Sequence, residues 1–132
     1  MKLHLKIINL EKEYFNGDVD LLNVNTTAGE LTILANHQPI ITNIKVSHMY
    51  VVIDGTTIDY AIAGGTLFVN EEGCKIITSA IESADEINEE RANASKLRAE
   101  ERINKANDAI DMARAESSLK RAINRLSVLK RK

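Results

Sequence analysis

The residues best equipped for chemistry are arginines on what reads as two facing helices. All seven arginines lie after residue 80. Three of them, Arg91, Arg121 and Arg125, come together if the chain turns back near residue 107, because Arg91 then stands level with residue 123 on the facing segment. Arg121 and Arg125 are four apart, so they share a helix face and repel each other by roughly 0.2–0.5 kcal/mol in an isolated helix. An anion held between the guanidinium groups would remove that penalty and gain planar, two-pronged hydrogen bonds. The chemistry indicated is anion binding rather than bond making. Spacing alone fits equally well with arginines that point outward and pair with Glu90 or Glu116.

Catalytic equipment is missing. His4, His37 and His48 are far apart, and none has a second ligand type at metal-binding spacing. Neither a metal nor a catalytic residue is expected. Cys74, the only cysteine, cannot close an internal disulfide and lies in the apolar run Cys74-Lys75-Ile76-Ile77, where a buried thiol is expected. Gly64-Gly65 is too little for a phosphate-binding loop. Net charge of -2 with 4% aromatic content and no tryptophan argues against a nucleic-acid surface. No apolar run approaches the roughly 18 residues of a membrane span, and Lys2, His4, Lys6 and Asn9 interrupt the start where a signal peptide would be apolar. A cytoplasmic protein is expected.

The elements that must position the arginines follow from a change of character near residue 80. Every glycine and the single proline, Pro39, lie at or before Gly73. Up to residue 80 there are five lysines and nine acids; beyond it are twelve basic and ten acidic residues. The cationic surface therefore belongs to the C-terminal part. Before the change, β-branched and aromatic stretches alternate with turn residues, predicting strands over 2–8, 19–26, 31–34, 46–53, 57–63, 66–69 and 75–78. Asp54-Gly55 predicts a tight hairpin between two of them. After the change, Met112, Ala115, Leu119, Ala122, Leu126 and Leu129 recur at spacings of three and four, the seam of a helix lying along another. Ala92, Ala99, Ile103 and Ala106 supply the facing stripe, with a capping box at Ser83–Glu86 as its start. Asn107 is expected in a left-handed cap, and Asp108 as the start of the second helix. The fold class is α+β: an N-terminal antiparallel β-sandwich over 1–82, then a C-terminal antiparallel two-helix hairpin over 83–132. The hairpin seam is rich in alanine and buries little apolar area, so it is expected to open and redock readily.

Gly29-Glu30-Leu31-Thr32-Ile33-Leu34-Ala35-Asn36-His37-Gln38-Pro39-Ile40 resembles the Gly-Glu-Leu-Gly-Ile-Leu-Pro-x-His-x-Pro loop of the epsilon subunit of bacterial F-type ATP synthases, with Thr32 and Ala35 departing from it. Ala63-Gly64-Gly65-Thr66-Leu67-Phe68-Val69 is similar to that family's Gly-Gly strand. Arg114-Ala115-Glu116 through Asn124-Arg125-Leu126 is similar to its second helix. The resemblance implies a non-catalytic central-stalk subunit at the cytoplasmic face of the bacterial cell membrane, coupling proton flow to ATP synthesis. Its sandwich would join the gamma subunit and the c-subunit ring, with Glu30 and His37 at the rotor contact; the alternative for His37 is a side chain closing its own loop. Its hairpin would inhibit ATP hydrolysis when extended toward the alpha and beta catalytic subunits, which Lys120, Arg121, Arg125, Lys130, Arg131 and Lys132 could meet. The same resemblance implies regulatory ATP, with no cofactor required. The family's nucleotide-binding motif corresponds to Ile87-Asn88-Glu89-Glu90-Arg91-Ala92, with further ligands at Glu82, Arg98, Arg121 and Arg125. Asn88 stands where the motif has aspartate. The competing reading is a free-standing adaptor with a β-domain and a helical arm that binds no nucleotide.

Overall fold

Alternation of apolar and polar residues is clearest at the start of the chain, where Leu3, Leu5 and Ile7 are buried and His4 is exposed. The computed structural model describes residues 1–131. Its strands are β1 (Leu3–Ile8), β2 (Glu13–Val19), β3 (Leu21–Thr26), β4 (Gly29–Ile33), β5 (Ile40–Ile53), β6 (Thr56–Asn70), β7 (Gly73–Ile77) and β8 (Ile81–Ser83). They form one sheet in the order β2-β1-β7-β6-β5-β3-β4, with β8 added to β6. The pairings are antiparallel except β1 with β7, which run parallel with Leu5 opposite Cys74. Leu5, Ile7, Leu22, Ile33, Met49, Ile62, Leu67 and Ile76 are fully buried in the sandwich core.

Strands β5 and β6 are long enough to serve both layers of the sandwich. The buried residues of β6 change parity, from Tyr60 and Ile62 to Leu67 and Val69, across Gly64-Gly65. Gly64 has φ +84° and Gly65 φ +147°. A Cβ on Gly65 would stand 2.3 Å from the Ile77 carbonyl oxygen, so the close approach of β7 requires glycine. The sequence pattern splits this strand at the glycine pair, whereas the backbone runs through and turns its other face to the core. Asp54 (φ 49°) and Gly55 (φ 81°) form the expected tight hairpin. Two strands lie outside the sequence expectation. β2 buries only Val19 fully and so carries almost no alternation, and β8 is three residues long.

Two helices follow, α1 (Glu89–Lys105) and α2 (Ala109–Leu129). Ser83 and Glu86 do form a capping-box contact, with Ser83 N–H donating to Glu86 Oε1 at 2.9 Å, but on a single 3-10 turn over Ala84–Glu86. Ile87 then takes an extended conformation that buries its side chain, so α1 starts later, with Asn88 Oδ1 accepting Arg91 N–H at 2.9 Å. Asp108 begins α2 as expected, its Oδ1 accepting Asp111 N–H at 2.8 Å. Asn107 is not left-handed. The first helix ends at Ala106 in an extended conformation, with Ala106 N–H reaching Ile103 O, and this leads into the extended cap residue Asp108.

Ala92 and Ala99 of α1 and Ala115 and Ala122 of α2 are buried where the helices meet, so their axes approach closely. The hairpin docks on the sandwich through a small cluster of Ala61, Ala84, Ile87, Ala92 and Val128, flanked by Leu126 and Leu129. Val128 lies outside the expected seam and packs in the cluster where the sandwich, the connecting turn and α1 meet. Full burial of such a side chain contributes roughly 1.5–3 kcal/mol, so Ile87 and Val128 supply most of the apolar docking energy.

Candidate anion site between the helices

A recess of about 200 Å³ opens between α1 and α2, lined by Arg98 and Arg102 from one helix and Arg121 and Arg125 from the other, with Ser95 and Ser118 beside them. Each arginine pair is four residues apart and therefore shares a helix face. Arg98 Nη2 donates to Ser95 Oγ at 3.1 Å. Arg121 donates to Ser117 Oγ at 2.7 Å and to Ser118 Oγ at 3.2 Å. These acceptors are neutral, so they orient the guanidinium groups without cancelling their charge.

Arg125 alone of the four meets a carboxylate among the described residues: its Nε lies 2.8 Å from Glu82 Oε1. The Nε is fully buried and its proton is not aligned on that oxygen, which makes the contact an ion pair rather than a well-formed hydrogen bond. Glu82 belongs to β8, so this pair ties α2 to the sandwich, as does Asn124 Nδ2 donating to Ser47 O at 2.8 Å. A second cleft of about 170 Å³ lies between α2 and the sandwich; it shares Arg121 and Arg125 with the recess and adds Glu82, over an apolar floor that includes Val46, Ala61 and Ile62.

The structure thus brings together Arg98, Arg121, Arg125 and Glu82. Ile87 is buried in the docking cluster, and Asn88 caps α1. Arg91 is exposed and lines neither recess. No ion pair joins these arginines to Glu90 or Glu116 among the described residues. Arg102 was absent from the sequence expectation, although its spacing of four from Arg98 mirrors that of Arg121 and Arg125. On β4, the last strand in the sheet order, the exposed Glu30 accepts Asn23 Nδ2 at 3.0 Å, and Thr32 Oγ1 accepts from the same amide. His37 closes its own loop, with Nδ1 2.7 Å from Gln38 O and its backbone N–H on Leu34 O. Asn36 takes the left-handed conformation in that loop. Lys132 lies outside the described residues.

The division into sandwich and hairpin is mirrored in known families. The profile described as "ATP synthase, Delta/Epsilon chain, beta-sandwich domain" matches residues 2–84, and the one described as "ATP synthase, Delta/Epsilon chain, long alpha-helix domain" matches residues 85–130. The chain belongs to the ATP synthase delta/epsilon family. Among curated relatives, an ATP synthase epsilon chain of Ruminococcus albus is 39% identical over 129 residues, covering 97% of this chain and 96% of that protein. One from Bacillus velezensis is 37% identical over 124 residues, 94% of each. The fold recurs in a chain of the Euglena gracilis mitochondrial ATP synthase (OSCP/F1/c-ring), with TM-score 0.82 at 21% identity, covering 97% of this chain and 81% of that one. It recurs again in the central stalk/c-ring structure of the Tetrahymena thermophila mitochondrial enzyme, with TM-score 0.64 at 14% identity, covering 98% and 97%. Within the family this chain is of the epsilon type, a subunit of the ATP synthase complex. The last strand of its sandwich ends at Ser83.

Proposed function

We propose that this epsilon-type chain is a rotor subunit whose sandwich transmits rotation and whose hairpin brakes ATP hydrolysis, with ATP bound in the arginine recess favouring the docked, permissive state. The observation that carries the nucleotide part is the convergence of Arg98, Arg102, Arg121 and Arg125 around one opening with Glu82 as their sole carboxylate partner among the described residues. Such a site has four charge-assisted donors in search of a polyanion. Asn88 uses its amide oxygen to cap α1, and its Nδ2 donor remains for a ligand. The braking part rests on the small, alanine-rich docking surface, which a competing partner could displace.

The partners proposed are the gamma subunit and the c-ring for the sandwich, through the loop carrying Glu30 and His37, and the alpha and beta subunits for the released hairpin. Leu34 and Ile41 flank that loop and are 52% and 72% exposed, which supports a protein contact there. No helix among the described residues is long and apolar enough to cross a membrane, so attachment at the cytoplasmic face would come through the c-ring. Titration calorimetry of the chain with ATP tests the recess, and absence of heat overturns the nucleotide reading. Terminating the chain after Glu86 within the whole complex tests the brake. Hydrolysis should rise while synthesis stays coupled, and unchanged hydrolysis overturns it.

A further inference from the structure

The segment between sandwich and hairpin is held by a contact that neither the anion site nor the rotor face uses. Tyr14, on edge strand β2, donates its hydroxyl to Glu86 Oε1, the same oxygen that accepts Ser83 N–H at 2.9 Å. The Tyr14 ring stands edge-on to Tyr60, with centroids 6.2 Å apart and planes at 77°. Tyr60 in turn pairs with Ser83 across the β6–β8 ladder. Glu86 is therefore gripped by a side chain 72 residues earlier and by the backbone of its own turn. Immediately beyond it, Ile87 and Asn88 are both extended; Ile87 meets the sandwich by apolar packing, and among the described residues the side-chain bond of Asn88 goes to Arg91 N–H within the hairpin.

We propose that Tyr14 is a positioning residue that locks Ser83–Glu86 to the sandwich, so that any release of the hairpin pivots at Ile87–Asn88 rather than at the end of β8. The pivot rests on the proposed mobile hairpin; the lock does not. Two extended residues outside helix and sheet can absorb a large change in φ and ψ once Ile87 leaves the docking cluster, whereas a pivot at Ser83 would in addition have to break the charge-assisted bond between Tyr14 and Glu86. Tyr14 thereby sets where the arm swings from, and hence where its tip can reach. Burial raises the Tyr14 phenol further above its ordinary range, and the bond to Glu86 adds to this, so the hydroxyl remains a donor at any physiological pH.

The test is amide hydrogen exchange on the intact chain, read segment by segment, for the parent, Tyr14→Phe and Glu86→Gln. In the parent, amides of residues 83–86 should exchange at the rate of the neighbouring sheet and more slowly than those of 89–92. Tyr14→Phe keeps the ring packing and removes one bond to a charged group, so exchange at 83–86 should rise about tenfold or more while β1 and β7 stay unchanged. Glu86→Gln keeps an acceptor without its charge and should give a smaller rise. Exchange at 83–86 that matches the helices in the parent, or that is unmoved by both substitutions, overturns the lock. Helix amides as slow as the sheet in all three proteins overturn the pivot and the mobile hairpin, while a rise at 83–86 in the same data still supports the lock.

Discussion

Replacing Gly65 by alanine probes the feature that allows β6 to serve both layers. The added Cβ would lie 2.3 Å from the Ile77 carbonyl oxygen and 3.2 Å from Ile77 C and Thr78 Cα, all backbone atoms with little room to yield. Forcing a methyl into such a space costs typically about 1–3 kcal/mol. Holding a residue with a side chain at φ +147° adds roughly another 1–3 kcal/mol. The expected loss is therefore about 2–6 kcal/mol, out of the roughly 5–15 kcal/mol that keeps an ordinary domain folded. Gly55→Ala is the control: its φ is +81°, but nothing lies within 4 Å of the new Cβ, so it carries only the backbone cost of roughly 1–2 kcal/mol. Urea unfolding of both variants, with the slope m unchanged, reads the difference. If Gly65→Ala costs no more than Gly55→Ala, the close approach of β7 is not what demands glycine, and the account of the two-layer strand fails.

Other outcomes follow from single contacts. Arg125→Ala should leave Glu82 half-buried without its partner and loosen the docked hairpin by about 1 kcal/mol, a modest figure because the pair is partly solvated; fluorescence distance between labels on β5 and α2 would report it, and an unchanged distance distribution contradicts it. Asn88→Asp should keep the cap and place a negative charge at the start of α1, stabilising it by roughly 0.3–1 kcal/mol in a thermal melt followed by circular dichroism. Cys74, pushed up to about 11 by burial, should resist thiol reagents at pH 8 in the native chain and react promptly in denaturant. For Glu86, burial alone acts upward, but the bonds from Tyr14 and Ser83 outweigh it and hold the carboxyl below its ordinary 4.5. Its contribution to stability is present above that value and fades as pH falls through the lower folded value, so Tyr14→Phe should flatten the acid side of a stability-versus-pH curve.

Much of the fold can be read in the residues, and the failures have physical causes. Asp54-Gly55, the Asp108 cap, the alanine seam and the buried thiol are local signals, each fixed by a few neighbouring residues. Gly64-Gly65 misleads because glycine marks both a break and a close approach, and only the position of Ile77 distinguishes them. β2 and β8 lack periodicity because one is an edge and the other is short. Ser83 and Asn88 both carry cap chemistry, and the choice between them is made by Tyr14 and by burial of Ile87 in a cluster with Ala61 and Val128, partners distant in sequence. In the anion recess, Arg91 shares its helix face with Arg98 and Arg102, and what separates it from them is position along the hairpin. The recess opens nearer the turn, beside Arg98 and Arg102, and which level of the facing helices parts to form it is not written in the spacing.

The parallel pairing of β1 with β7 has a consequence for how the chain is made. Strand β1 has one edge covered by β2 early, but its other edge waits for Cys74–Ile77, about 70 residues later. At ribosomal rates of about 5–20 residues per second that wait lasts roughly 4–14 s. Throughout it, Leu3, Leu5 and Ile7 sit on a strand with an open ladder of N–H and C=O groups, a template for wrong partners. The helical hairpin, whose contacts are nearly all local, emerges last and can close within microseconds. Assembly of the newborn chain is thus paced by its first strand, and holdase chaperones would find their target there before any helix has been synthesised.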